Sequence, residues 1–343
     1  MRTPKLRRNN WLQLRQYGGA AVGVAVAALG VYFITLGHAA TSTLPFEAEN
    51  GTVAGNAASV TGQSGASGES AVKFGNGGGT GGDPMPTGVP GSWKLKFNDD
   101  FNGSSLDLTK WIMCNPSFGN GNPCTPWNNE QQLFNTATTN NPNVTVTNGQ
   151  LHLTATKTGG QIYSGMVSTG PDKFNYKNPG YQSFQYTYGI YEGRVKFPKG
   201  NGFWPSMWQL PDQDKYGGWP DSGEYDVVEI AGNKPNYAYW TAHWGGSGGE
   251  CGHPCGGGEG SIADASAGFH TYALDWEPDS LTWYVDGVQK AKVTDKGGIQ
   301  THPFYIIANF SVGGDWGPLQ GAPDGSTPFP TSMDIDYLRV WQH

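Results

Sequence analysis

The chain has 343 residues, of which 14% are charged and 36% hydrophobic, with 53 glycines and 23 prolines; that mix excludes a helical bundle or coiled coil, which needs long runs of Ala, Leu, Glu and Lys. Thirteen tryptophans within a 13% aromatic content exclude a disordered chain. The formal net charge is -7, and because five basic residues precede Tyr17 while no acid precedes Glu47, residues 41–343 carry 16 positive and 28 negative charges, which argues against nucleic acid as a partner.

Residues 1–40 read as an address. Arg2, Lys5, Arg7, Arg8 and Arg15 lead into residues 18–36, which carry no charge, and then into Gly37, His38, Ala39 and Ala40. The apolar run exceeds the signal-peptide core of about 7–15 residues and approaches the roughly 20 that span a bilayer. A cleaved signal and an uncleaved membrane anchor both fit, and either one exports the rest of the chain. An extracellular protein is expected, secreted or held on the outer side of the membrane, with membrane contact only through this segment. Residues 41–91 have the composition of a linker, flexible over Gly75–Gly82 and stiff over Asp83–Pro90, with hints of a strand near Phe46 and Phe74.

Export favours disulfides for the four cysteines, and the close spacings of Cys114 with Cys124 and of Cys251 with Cys255 suggest two local bridges. The rival reading is metal, with Cys251, His253 and Cys255 as ligands, but a fourth ligand at zinc spacing is missing.

From residue 92 to 343 short alternating stretches recur, at Val144–Thr147, Leu151–Ala155, Gly189–Phe197, Leu281–Val285 and Asp334–Trp341. Period-two alternation of β-branched and aromatic residues marks half-buried antiparallel strands. Asp286 and Gly287 between two such runs mark a hairpin turn. No stretch keeps a helical period, so one all-β domain built as a two-sheet sandwich or jelly roll is expected.

One strand is different. Glu224, Asp226 and Glu229 fall within six residues of an otherwise apolar run. On a regular strand Glu224 and Asp226 share a face and Glu229 points away. A β-bulge at Val227 and Val228 restores parity and puts all three acids on one side. Two glutamates flanking an aspartate in a groove suit retaining glycoside hydrolysis, with one carboxylate as nucleophile and the other as acid/base. The aspartate would hydrogen-bond the nucleophile and help set its protonation. A solvated strand face and a calcium site are the plainer readings. The first is disfavoured by so charge-poor a chain, the second by acids alternating along a strand instead of lining a loop.

The Glu-x-Asp-x-x-Glu pattern of Glu224, Asp226 and Glu229, with Trp219 and Pro220 ahead of it, resembles glycoside hydrolase family 16 in its laminarinase-like, bulged form. Further matching segments are 97–103, 128–132, 189–196, 202–208, 269–276, 312–316 and 336–341. The resemblance implies a concanavalin-like β-jelly-roll sandwich with a concave cleft, and retaining, endo-acting hydrolysis of β-1,3-glucan with Glu224 as nucleophile and Glu229 as acid/base. Two departures are Tyr225, in place of an aliphatic residue, and an added-looking segment from Tyr181 to Tyr188. Trp204, Trp208, Trp219 and Trp316 fit either sugar-stacking platforms or sandwich core. Asn129, Arg194 and His243 match polar positions near the family's subsites. No cofactor is needed for the chemistry, but the family often carries a structural Ca2+ on its convex side, for which Asp100, Gly149 and Asp336 are the matching positions. The expected partner is the polysaccharide substrate alone, and the protein is expected to be a monomer. A non-catalytic β-glucan-binding protein, or a hydrolase of mixed-linkage glucan or red-algal galactan, stays open as an alternative.

Overall fold

The computed structural model describes residues 57–61, 70–74, 83–113, 126–137, 139–172, 180–247, 252–319 and 321–343. The expected address over residues 1–40 lies outside them, as do Cys114, Cys124 and Cys251, and Cys255 is disulfide-bonded. The chain divides into two units, Met1–Gly79 and Thr80–His343. The first contains an antiparallel pair, β1 (Ala57–Thr61) and β2 (Ser70–Phe74).

The second unit contains β3 (Lys94–Asp99), β4 (Gln132–Phe134), β5 (Val144–Thr147), β6 (Gln150–Thr158), β7 (Gln161–Ser164), β8 (Met166–Ser168), β9 (Gly189–Lys196) and β10 (Phe203–Pro211). It continues with β11 (Glu224–Ile230), β12 (Tyr237–His243), β13 (Cys255–Ser261), β14 (His270–Glu277), β15 (Ser280–Val285), β16 (Val288–Val293), β17 (Phe304–Val312) and β18 (Thr331–Gln342). A short α-helix, Gln213–Tyr216, lies between β10 and β11. Two sheets result. One runs β13-β12-β11-β10-β17-β8; the other runs β16-β15-β14-β9-β18-β6-β7-β4, with β3 added on β18 and β5 on β6. The expected sandwich is present.

Alternation in the sequence decides what each strand buries. Met207, Tyr225, Val228, Ile306, Ala308 and Phe310 of the first sheet pack in one core with Tyr191, Val195, Leu274, Leu338 and Val340 of the second. The residues between them on β10, β11 and β17 are left to the opposite face of the first sheet, and they build the site. The Asp286–Gly287 turn forms as expected: both residues have positive φ, 50° and 73°, and Val285 pairs with Val288.

The linker expectation needs correction over Asp83–Pro90. Val89 and Trp93 are buried in a small cluster with Ile190, Ala273 and Trp341 on the outer face of the second sheet. Trp341 Nε1 donates to Pro84 O at 2.6 Å, and Thr87 N and Oγ1 donate to the Glu192 carboxylate at 2.8 and 3.1 Å. Gly88 packs so close to Gly287 that a Cβ would lie 2.5 Å from its Cα. Prolines fix an extended path, but here that path follows a sheet surface, and the domain begins before residue 92.

Candidate active site

The bulge is where the sequence put it. Met207 pairs with Val228 and Trp208 with Asp226, so Val227 is the extra residue, and on the other side Asp226 pairs with Thr241 and Glu229 with Tyr239. A bulge disrupts the ladder, and a buried carbonyl then needs another donor. Trp283 Nε1 supplies one across the core, donating to Asp226 O at 2.7 Å. Gly223 sets the entry to the strand: its φ is +84°, and a Cβ there would lie 2.7 Å from Gln300 Cγ. Tyr225, the departure from an aliphatic residue, points into the core, where its hydroxyl donates to Gly298 O and accepts from Gln300 N.

Glu224, Asp226 and Glu229 consequently line one cavity of about 260 Å³. Glu224, Asp226 and His243 each bring a polar atom within 4.8 Å of the others. His243 Nε2 lies 3.2 Å from Asp226 Oδ2, and its Nδ1 lies 2.9 Å from Nε2 of His253. Trp204 Nε1 donates to Glu229 Oε1 at 2.8 Å. Burial, then repulsion by Asp226, pushes Glu224 well above the usual carboxylate range, with His243 opposing. Burial raises Asp226 to about 7, and a hydrogen bond with Glu224 opposes the rise. Burial and Asp226 raise Glu229 to about 8, against the Trp204 hydrogen bond and His243. Burial therefore favours the protonated forms of the cluster, in which a hydrogen bond links Glu224 and Asp226.

Trp127, Asn128, Glu130, Ser206, Trp208, Trp219, Asn309 and Ser311 complete the cavity wall. Trp219 is 45% exposed at its rim. Trp208 Nε1 donates to Asn309 Oδ1 at 2.7 Å, and Trp204 stacks on Trp316 at 4.9 Å with planes 7° apart. Burial raises Glu130 to about 7, while Gln132 and Ser311 donate to it at 2.6 and 2.8 Å and oppose that rise.

Residues 130–339 match the model of glycosyl hydrolases family 16. The chain belongs to this family. A glucan endo-1,3-beta-glucosidase A1 of Niallia circulans is 33% identical over 293 residues, 77% of this chain, although the chain spans only 39% of that relative's length. A glucan endo-1,3-beta-glucosidase of Cryptopygus antarcticus is 30% identical over 73% of this chain and 93% of its own. The laminarinase of Flavobacterium sp. UMI-01 superposes with a TM-score of 0.60 at 32% identity, covering 73% of this chain and all of that one.

As a family 16 chain it brings together most of the residues singled out from the sequence. The three acids, Trp204, Trp208 and Trp219 line the cavity, His243 bonds to Asp226, and Trp316 backs Trp204. Asn129 lies beside the cavity-lining Asn128, with its Nδ2 donating to Asp315 Oδ2. Arg194 is corrected. It sits on β9 of the other sheet, bonds Asp336 through Nη1 at 3.1 Å, and lies over Phe269 at 4.9 Å. Trp127 and Glu130 were not foreseen. They flank Asn128 and Asn129, whose positive φ values of 49° and 55° make a tight turn that delivers Glu130 to the cavity.

For calcium, register brings the three expected positions together. On β18 the pairing with β6 ends at Ile335 and that with β3 begins at Leu338, so Asp336 is flanked by Gly149, just before β6, and Asp100, just after β3. Carbonyl and carboxylate oxygens are what calcium takes. The Asp100 carboxylate is bound by Arg339 at 2.7 Å with both side chains buried, and the Asp336 carboxylate by Arg194 at 3.1 Å.

Proposed function

We propose that this family 16 chain is a retaining, endo-acting β-1,3-glucanase. The observation that carries the reading is the bulge in β11, which turns Glu224, Asp226 and Glu229 into one cleft. Glu229 holds its proton at neutral pH, pushed up to about 8, and gives it to the glycosidic oxygen. As that C–O bond breaks, a Glu224 oxygen bonds C1 and the leaving sugar departs as an alcohol; Asp226 keeps the proton the two had shared. Glu229, now a carboxylate stabilised by Trp204 Nε1, takes a proton from water, whose oxygen attacks C1 and frees Glu224.

An open cleft with Trp127, Trp204, Trp208 and Trp219 along it suits a chain lying across the sheet, which supports internal cleavage, and relatives named for endo-1,3 cleavage support the linkage. The reading includes export as a monomer, bridges Cys114–Cys124 and Cys251–Cys255, and a structural Ca2+ on Asp336 and Gly149. A product time course on laminarin, mixed-linkage glucan, agarose and carrageenan tests it. Mixed oligosaccharides and a fast viscosity fall on laminarin are expected; glucose alone from the first minutes, or products from agarose only, would overturn it. In Glu229→Ala, azide should restore turnover of an activated aryl glycoside as the β-glycosyl azide, and an α-azide would reverse the two roles.

A further inference from the structure

His253 is a buried histidine that the two-carboxylate chemistry does not use. It sits in the turn between β12 and β13. The strand register sets His243 opposite Cys255, and Trp244 N donates to Pro254 O at 3.1 Å, which brings His253 alongside the end of β12. There its Nε2 is 2.9 Å from His243 Nδ1, and the other His243 nitrogen is 3.2 Å from Asp226 Oδ2. Trp219 closes over the pair, edge-on to His253 at 4.7 Å and tilted against His243 at 5.9 Å. A chain of contacts thus runs from the carboxylate cluster to a loop outside the sheet.

We propose that His253 is a positioning residue of the active site, holding His243 in the ring orientation that presents an Nε2–H to Asp226. When the histidine pair is neutral, His253 Nε2–H donates to the Nδ1 lone pair of His243, so the His243 proton must sit on Nε2 and point at Asp226. Burial, and then the neighbouring His243, holds the proton affinity of His253 down. The other titratable groups around the pair are Glu224, Asp226 and Glu229 on β11, and Asp221, which packs against Gly245 two residues beyond His243. His243 opposes the rise in proton affinity of both glutamates, and His253 fixes the ring through which it does so.

The inference rests on the hydrolase reading, and its test has one arm that does not. His253→Phe keeps a ring under Trp219 and removes the hydrogen bond; His253→Gln keeps a side-chain donor and acceptor. In His253→Phe, kcat on laminarin should fall about tenfold with KM within about twofold. The acid limb of the pH profile should move up by roughly half a unit or more, because the Glu224–Asp226 pair loses the oriented Nε2–H that favours its ionised form. His253→Gln should recover most of both. An unmoved limb in His253→Phe, or a glutamine variant as impaired as the phenylalanine one, would overturn the role. Nitrogen-15 spectra of the wild-type histidines give the second arm without any substrate, and stand if His253→Phe does not fold. They should show His243 protonated on Nε2 from pH 5 to 8, and a bare Nε2 would refute the proposal. Should the wild type hydrolyse no glucan, the functional reading fails while these spectra still decide the histidine pair.

Discussion

Replacing Trp204 by Phe removes one hydrogen bond from Glu229, the proposed proton donor, and leaves most of the ring. The indole N–H lies 2.8 Å from Glu229 Oε1, and it opposes the burial and Asp226 repulsion that hold Glu229 at about 8. It favours the ionised form only, since a protonated carboxyl needs it less. A hydrogen bond to a buried charged group is worth about 1.5–3 kcal/mol, and each pH unit is about 1.36 kcal/mol. Glu229 in Trp204→Phe should therefore lose its proton about one unit or more higher. Because the proposed first step needs Glu229 protonated, the alkaline limb of kcat/KM on laminarin should move up by that amount. KM should rise severalfold, since the platform stacked on Trp316 shrinks. Trp208→Phe is the control, because its N–H serves Asn309 and touches no acid. An alkaline limb that stays put in Trp204→Phe, or moves equally in Trp208→Phe, would refute the reasoning.

Glu130→Gln should stabilise the fold at alkaline pH. Glu130 is raised from 4.5 to about 7 on folding, so its contribution is fully present below 4.5 and is lost as pH rises through 7. The shift sets an upper bound of about 3 kcal/mol, reduced toward about 1–2 by water in the cleft, so the melting temperature of the variant should exceed the wild type's by a few degrees at pH 8 and match it at pH 4. Arg194→Ala should leave KM within about twofold, since Arg194 lies on the other sheet, and cost about 1 kcal/mol or less in denaturant unfolding, because its bond to Asp336 is partly exposed. Excess EDTA should lower the melting temperature of the wild type, and an unchanged curve would remove the calcium from the proposal.

The sequence was most legible where side-chain parity and chemistry coincide. Three acids in a charge-poor apolar strand had to share a face to be useful, and only an extra residue could bring that about, so the bulge at Val227 and Val228 could be read before it was seen. Arg194 was misplaced because its motif fixes a strand but not which sheet the strand joins; that depends on β9 pairing with β14 and β18 from distant parts of the chain. Glu130 as a cavity residue and His253 as a partner of His243 escaped for a different reason. Both reach the site from turns, which have no period to follow, and their partners Ser311 and His243 are set by tertiary contact. The proline-rich stretch at Asp83–Pro90 carries the composition of a spacer; its docking depends on the outward-facing Trp341 and Glu192, which alternation alone marks as surface.

That docking decides how the domain bears load. The residues beneath Val89 and Trp93 point away from the core of the sandwich, whereas the carboxylates lie beyond the opposite sheet. Tension applied to the chain ahead of residue 83 is taken up by Trp341, Glu192 and the turn at Gly287, with the whole core between them and the bulge. Load carried on that face is therefore separated from the acids by the whole core of the sandwich.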